Sequence, residues 1–95
     1  MKNDLFFMKR AYEQALLGFN KEEIPVGAVV VYENKIISEA HNESISKTDP
    51  TSHAEIEAIR DAALKIGNYR LTDATMYVTL EPCLMCCGAL IHARF

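Results

Sequence analysis

Three cysteines lie within five positions of the segment EPCLMCCGALIHA, residues 81–93, and the chain has no other cysteine. An odd, clustered set of this kind does not suit a disulfide framework, and in a reducing compartment it favours metal binding or catalysis. Cys83 and Cys86 are three residues apart at the start of a predicted helix, so their side chains share one face. The free N–H groups and positive dipole end at a helix start favour thiolates. Two thiolates in this arrangement suit zinc.

One histidine is well placed to complete a metal site with these cysteines. His53 begins a predicted helix, whereas His41 ends a predicted strand and His92 lies about two turns beyond Cys86. If the two helices point their N-termini into one cleft, His53, Cys83 and Cys86 converge and leave a fourth tetrahedral position for water. Three protein ligands plus water is the pattern of catalytic zinc sites.

Glu55 lies two residues after His53 and could act on that water. Residues two apart on a helix do not face each other, so the metal is expected off the helix end. There the Glu55 carboxylate could take a proton from a zinc-activated water and pass it to a leaving group, which is hydrolytic chemistry. The alternative is a capping box in SHAE, in which Glu55 bonds back to the N–H of Ser52.

The identity of the second thiolate is not settled by spacing, because Cys87 is four residues from Cys83 and lies about as close to it as Cys86 does. The P-C-x-x-C motif favours Cys86 as the ligand and Cys87 as a small buried residue. Each cysteine, and His53, also has a purely structural interpretation when taken singly. The joint occurrence of H-x-E and P-C-x-x-C about 30 residues apart favours the metal site.

Six predicted elements must position these residues. A helix is predicted from Asp4 to Asn20, followed by a strand over residues 26–32 with no polar alternation until its end, as expected of a strand covered on both faces. A turn at YENK leads to a hairpin partner over residues 36–40. The apolar positions expected to form the buried face of the first helix are Leu5, Met8, Tyr12, Ala15, Leu16 and Phe19.

The second half of the chain repeats the helix and strand types. A helix over residues 53–66 ends at Gly67, a strand follows over residues 74–80, and Pro82 suits the first turn of a last helix that runs towards Arg94. The crossover through the second helix predicts a third strand parallel to a neighbour. The fold class is therefore a layered α/β domain.

Length and composition restrict the possible classes of protein. The 95 residues allow one domain, residues 1–95, and 49% hydrophobic with 24% charged residues is typical of a folded chain. The N-terminal MKNDLFFMKR lacks the apolar core of a signal peptide, and no stretch reaches membrane-spanning length, so we expect a cytoplasmic protein without a membrane partner. A formal net charge of -3 argues mildly against nonspecific binding to phosphate backbones.

The segments IPVGAVVV, AHNESISKTDPTSHAEIEAIR and NYRLTDATMYVTLEPCLMCCGALIHAR together resemble the bacterial tRNA-specific adenosine deaminases of the cytidine deaminase-like zinc deaminase superfamily. H-x-E with P-C-x-x-C is the signature of zinc nucleobase deaminases. The resemblance covers nearly the whole chain and implies a three-layer α/β/α fold. Family members continue past the last helix with two further strands and helices, including a basic region that helps to grip the anticodon loop, so we expect a C-terminally truncated form.

The resemblance also implies an activity and a set of site residues. It implies hydrolysis of the wobble adenosine to inosine in the anticodon loop of a tRNA, by a homodimer with one Zn²⁺ per subunit. His53, Cys83 and Cys86 would be the zinc ligands and Glu55 the proton shuttle. Asn42 matches a position that contacts the base. Ile24 and Val26, at the ends of IPV, match the pocket wall, and a strand entry packed in the core is an equal alternative.

Three other functions remain open at the level of sequence. Deaminases of free cytidine, deoxycytidylate or guanine share the metal motifs. An inactive zinc-binding fragment or partner chain would keep the metal without turnover. A thiol redox role for Cys83 and Cys86 is the weakest alternative. Asn42 and the segment NYRLTDATMYVTLEPC favour the tRNA substrate.

Overall fold

The computed structural model describes residues 4–95 and contains three helices and three strands in the predicted order. Residues 1–3, which belong to the predicted domain and to the N-terminal stretch, lie outside the described residues. The elements are α1 Asp4–Asn20, β1 Gly27–Tyr32, β2 Lys35–His41, α2 Ala54–Ile66, β3 Thr75–Val78 and α3 Leu84–Ala93. Within residues 4–95, no helix has the length and apolar character needed to cross a membrane.

The sheet has the order β2-β1-β3, and β1 is antiparallel to both neighbours. The hairpin prediction is confirmed: Tyr32 pairs with Lys35, and the two turn residues Glu33 and Asn34 both have positive φ, as tight hairpins require. The prediction that β3 is parallel to a neighbour is wrong. The crossover through α2 carries the chain past β1, so β3 runs parallel to β2 but pairs with the strand between them.

The two faces of β1 belong to two separate core clusters, which confirms a three-layer α/β/α arrangement. Ala28 and Val30 pack in a cluster with α2 and the end of α3, whereas Val29 and Val31 pack with α1. Alternate residues of a strand point to opposite faces, and both faces of β1 are covered. This explains why the apolar run of β1 shows no polar alternation.

The buried face of α1 differs from the predicted one. Its buried residues are Phe7, Ala11, Ala15 and Gly18, whereas Tyr12 and Phe19 are about three-fifths exposed. Of the predicted apolar positions, only Ala15 is buried, and Leu5 and Leu16 are also exposed. The physical reason is closeness of approach: a Cβ on Gly27 would lie 2.0 Å from the carbonyl oxygen of Ala11. Small residues at Ala11 and Ala15 let α1 come this near to β1 at Gly27.

Candidate metal centre

The three predicted metal donors lie where two helices begin. His53 is the N-cap residue of α2 and Cys83 the N-cap residue of α3, and both have extended backbones without a side-chain capping bond. Cys86 lies in the first turn of α3 and is fully buried. Pro82 precedes the N-cap, so its predicted position inside the first helical turn is wrong. Both helix starts therefore leave their donor side chains free to meet.

The distances among the donor atoms match a tetrahedral zinc site. His53 Nδ1 lies 3.6 Å from Cys83 Sγ and 3.5 Å from Cys86 Sγ, and the two sulfurs are 3.7 Å apart. Zinc bonds of about 2.3 Å to sulfur and about 2.0 Å to nitrogen, at tetrahedral angles, require S···S separations of about 3.8 Å and N···S separations of about 3.5 Å. In residues 4–95, these three residues are the group of potential ligands that could hold a metal ion. The residues present thus fit a zinc ion.

The two thiols differ in their acidity. The backbone N–H of Cys86 lowers the pKa of Cys83 by hydrogen bonding, so Cys83 ionises more easily than an ordinary thiol. Burial, and then the negative charge of Glu55, raise the pKa of Cys86 to about 12. A buried thiol beside a carboxylate has no cation to favour its ionised form. A divalent cation between the donors would supply that charge.

Glu55 is buried beside the donors, in the first turn of α2. The capping-box alternative is not realised, because the N-cap residue is His53 and the N–H of Ser52 donates to the carbonyl of Asp49 at 3.1 Å. Glu55 lies two residues beyond the donor His53, and its negative charge, after burial, raises the pKa of Cys86. A buried carboxylate there can accept and return a proton close to a metal-held substrate.

Asn42 is buried and tied to the start of α2. Its Oδ1 accepts a hydrogen bond from the N–H of Ala54 at 3.2 Å, and its own N–H donates to the carbonyl of Val26 at 3.2 Å. The first bond leaves the Nδ2 donor as the group that the Asn42 amide can offer to a ligand. Val26 itself lies in the core, whereas Ile24 is 56% exposed.

Cys87 does not share the environment of the other two cysteines. It is exposed, and its Sγ donates to the carbonyl of Pro82 at 3.7 Å, so the prediction of a small buried residue is wrong. One residue further along a helix is a rotation of about 100°, which turns Cys87 away from His53 while Cys86 faces it. The structure thus separates two cysteines that spacing alone did not.

Sequence reasoning missed Thr79, which fixes the segment leading to Cys83. Thr79 Oγ1 accepts the N–H of Gly27 at 3.1 Å, and the N–H of Thr79 donates to the carbonyl of Gly27 at 3.1 Å. These two hydrogen bonds extend the β1–β3 pairing beyond Val78. They fix the position of the chain just before the metal donor Cys83. The only sequence signal is a β-branched residue at the end of a predicted strand.

The whole chain, residues 1–95, matches the family model of the cytidine and deoxycytidylate deaminase zinc-binding region. A tRNA-specific adenosine deaminase of Buchnera aphidicola subsp. Baizongia pistaciae is 52% identical over 92 residues, which are 97% of this chain and 57% of that protein. The chain therefore spans less than two thirds of the length of this curated relative.

Two solved structures share the fold closely. One comes from work on A-to-I editing by tRNA:A34 deaminases at the wobble position of transfer RNA; its TM-score is 0.93 at 41% identity, over 95% of this chain and 65% of that one. The other is a guanine deaminase from Bacillus subtilis, with a TM-score of 0.95 at 44% identity, over 98% of this chain and 60% of that one.

Proposed function

Since the chain belongs to the family of the cytidine and deoxycytidylate deaminase zinc-binding region, we propose that the protein is a zinc hydrolase that converts the wobble adenosine of a tRNA to inosine. The observation that carries this proposal is the tetrahedral spacing of His53, Cys83 and Cys86 with Glu55 buried beside them. The tRNA substrate is supported by the names of the Buchnera relative and of the tRNA:A34 deaminase structure.

In this proposal His53, Cys83 and Cys86 hold zinc, which when bound supplies Lewis-acid activation of water near neutral pH. Glu55 performs the proton transfers. Its carboxylate takes a proton from the attacking water and gives it to a purine ring nitrogen, and the water oxygen forms a bond to C6. Glu55 then moves the remaining proton of the former water from the C6 hydroxyl to the amino group. The C6–N bond breaks, ammonia leaves, and C6 retains the oxygen as a carbonyl.

The base is held by residues on either side of the metal donors. Asn42 donates from Nδ2 to a ring acceptor of the extruded base, while its Oδ1 stays bound to Ala54. Ile24 forms an exposed part of the pocket wall, and Val26 supports it from the core. We further propose that residues 1–95 are one deaminase domain of a cytoplasmic homodimer with one zinc per subunit.

The direct test is inosine formation in an anticodon stem-loop that carries adenosine at the wobble position. We expect turnover by the zinc-loaded protein, and none by the Glu55→Ala variant, which should retain its zinc because Glu55 is not a ligand. Free cytidine, deoxycytidylate and adenosine serve as competing substrates. Turnover of free compounds alone would overturn the tRNA assignment, and unchanged activity of Glu55→Ala would refute its proton-transfer role.

Guanine deamination is a second candidate, favoured by the similarity to the Bacillus subtilis guanine deaminase. Guanine carries its amino group at C2 and adenine at C6, so one fixed metal and one fixed Asn42 cannot serve both bases in the same orientation. Xanthine formation from free guanine, measured beside inosine formation in the stem-loop, decides between the two substrates.

A further inference from the structure

A second buried carboxylate, Glu23, lies outside the metal centre and has no part in the proposed chemistry. Glu23 is 5% exposed and sits in the segment between α1 and β1. Both of its oxygens accept backbone N–H groups from one distant loop: Oε1 from Ile45 at 3.1 Å and Oε2 from Ser46 at 2.7 Å. A carboxylate with two such bonds fixes the backbone that donates them.

The loop that Glu23 holds, residues 43–52, connects β2 to α2. Its first turn is closed by two bonds, in which the N–H of Lys47 donates to the carbonyl of Glu43 at 3.0 Å and the N–H of Asp49 to that of Ser44 at 3.0 Å. The N–H groups at the start of such a turn have no acceptor within it. Glu23 supplies these acceptors from a different part of the chain, as a cap from outside the loop.

The same two segments are joined at a second point. Asn42, immediately before the loop, donates its N–H to the carbonyl of Val26 at 3.2 Å. The segment from Glu23 to Val26 is therefore bonded to both Asn42 and the first turn of the loop. One side of this junction carries the proposed wall residues, and the other carries the proposed base contact and leads to His53.

The Glu23 carboxylate remains charged at neutral pH. Burial acts to raise its pKa, but the hydrogen bonds from Ser46 and Ile45, with a smaller contribution from His41, keep the pKa of Glu23 below its usual value. A neutral side chain of the same size would therefore give weaker acceptors at this position.

We propose that Glu23 acts as a clamp, a positioning residue that holds the loop of residues 43–52 against the segment 24–26 and thereby sets the affinity for the nucleic-acid substrate. This inference rests on the proposed function for its substrate. Glu23 touches neither the metal donors nor the reacting atoms, so its removal should change KM more than kcat. The zinc content should not change.

The test compares Glu23→Gln with Glu22→Gln, because Glu22 is the exposed neighbour with the same charge. Glu23→Gln replaces one acceptor oxygen by a donor N–H. We expect amide hydrogen exchange at Ile45, Ser46 or both to rise roughly 10- to 100-fold. KM for the stem-loop should rise about tenfold with kcat within about twofold. Glu22→Gln should match the unaltered protein in both measurements.

Three results would overturn the proposal or part of it. Unchanged exchange at both amides would refute the clamp, and faster exchange with unchanged KM would refute its role in substrate affinity. If the unaltered protein forms no inosine, the proposed function fails together with the substrate part, while faster exchange would still support the clamp. If Glu23→Gln also speeds amide exchange in β1, this variant has lost its fold. Glu23→Asp, which keeps the charge, then replaces it in both measurements.

Discussion

Replacement of Cys86 by serine, with Cys87→Ser as the matched control, tests the metal centre most sharply. The two cysteines are adjacent, yet only Cys86 is buried with its sulfur 3.5 Å from His53 Nδ1, while Cys87 is exposed. Structural zinc sites with four ligands bind with about 10–16 kcal/mol, or roughly 3 kcal/mol per ligand. Cys86→Ser should therefore lower zinc affinity by at least about 100-fold. Cys87→Ser should leave it unchanged.

The raised pKa of Cys86 allows a second, independent test, which counts the protons released when zinc binds. With a pKa of about 12, Cys86 is protonated at pH 7 in the metal-free protein and must lose its proton to bind zinc. Because the proton is released, zinc affinity rises with pH, by about tenfold per pH unit from this group alone. Cys86→Ser should release about one proton fewer per zinc than Cys87→Ser does.

Competitive chelator titration measures the affinities, and calorimetry in two buffers with different ionisation enthalpies counts the released protons. Circular dichroism of each variant confirms that the fold is retained. Equal zinc affinity in the two variants, or loss of affinity in Cys87→Ser alone, would refute the assignment of Cys86. Equal proton release with unequal affinity would refute the argument from burial while leaving the ligand assignment intact.

Glu55→Gln should lower inosine formation by about 10²- to 10⁴-fold with zinc content unchanged, since an amide cannot transfer the proton; zinc loss in this variant would instead make Glu55 a ligand. Gly27→Ala should lower the unfolding temperature by ten degrees or so, about 2–3 kcal/mol or more, because the new Cβ would lie 2.0 Å from a backbone oxygen of α1. Gly88→Ala, whose new Cβ would meet no atom within 4 Å outside its own stretch of α3, should be neutral or stabilising by up to about 1 kcal/mol, and equal effects in these two thermal melts would contradict the packing argument. Hydrogen bonds from Thr51 and Ser52 lower the pKa of Asp49, so the stability they give is present above its unfolded pKa and is lost as pH falls through the folded one. Asp49→Asn should weaken the loss of unfolding free energy as pH is lowered, measured by denaturant unfolding at a series of acidic pH values. An unchanged pH dependence would show that these hydrogen bonds do not contribute to stability.

The β1–β2 hairpin and the end of α2 are features that the local sequence predicts correctly. Tight-turn residues at Glu33 and Asn34 predict the β1–β2 pairing, and Gly67, with its left-handed φ of 77°, ends α2 where expected. These features depend on residues close in sequence, whose preferred backbone angles act locally. Which face of α1 is buried depends on the strand that packs against it. The apolar periodicity therefore predicted the helix correctly but wrongly placed Tyr12 and Phe19 on its buried face.

In the candidate site, too, some features follow from the sequence and others from tertiary contacts. Residue types and spacing predicted His53, Cys83 and Cys86 as metal donors and Glu55 as their neighbour, because zinc prefers imidazole and thiolate ligands and both motifs lie at predicted helix starts. Their convergence, the orientation of Cys86 instead of Cys87, and the hydrogen bonds that Glu23 accepts from Ile45 and Ser46 depend on contacts between residues more than 20 positions apart. The packing of α2 and of the end of α3 into one core cluster decides which side chains meet, because a one-residue rotation of a helix exchanges a buried sulfur for an exposed one.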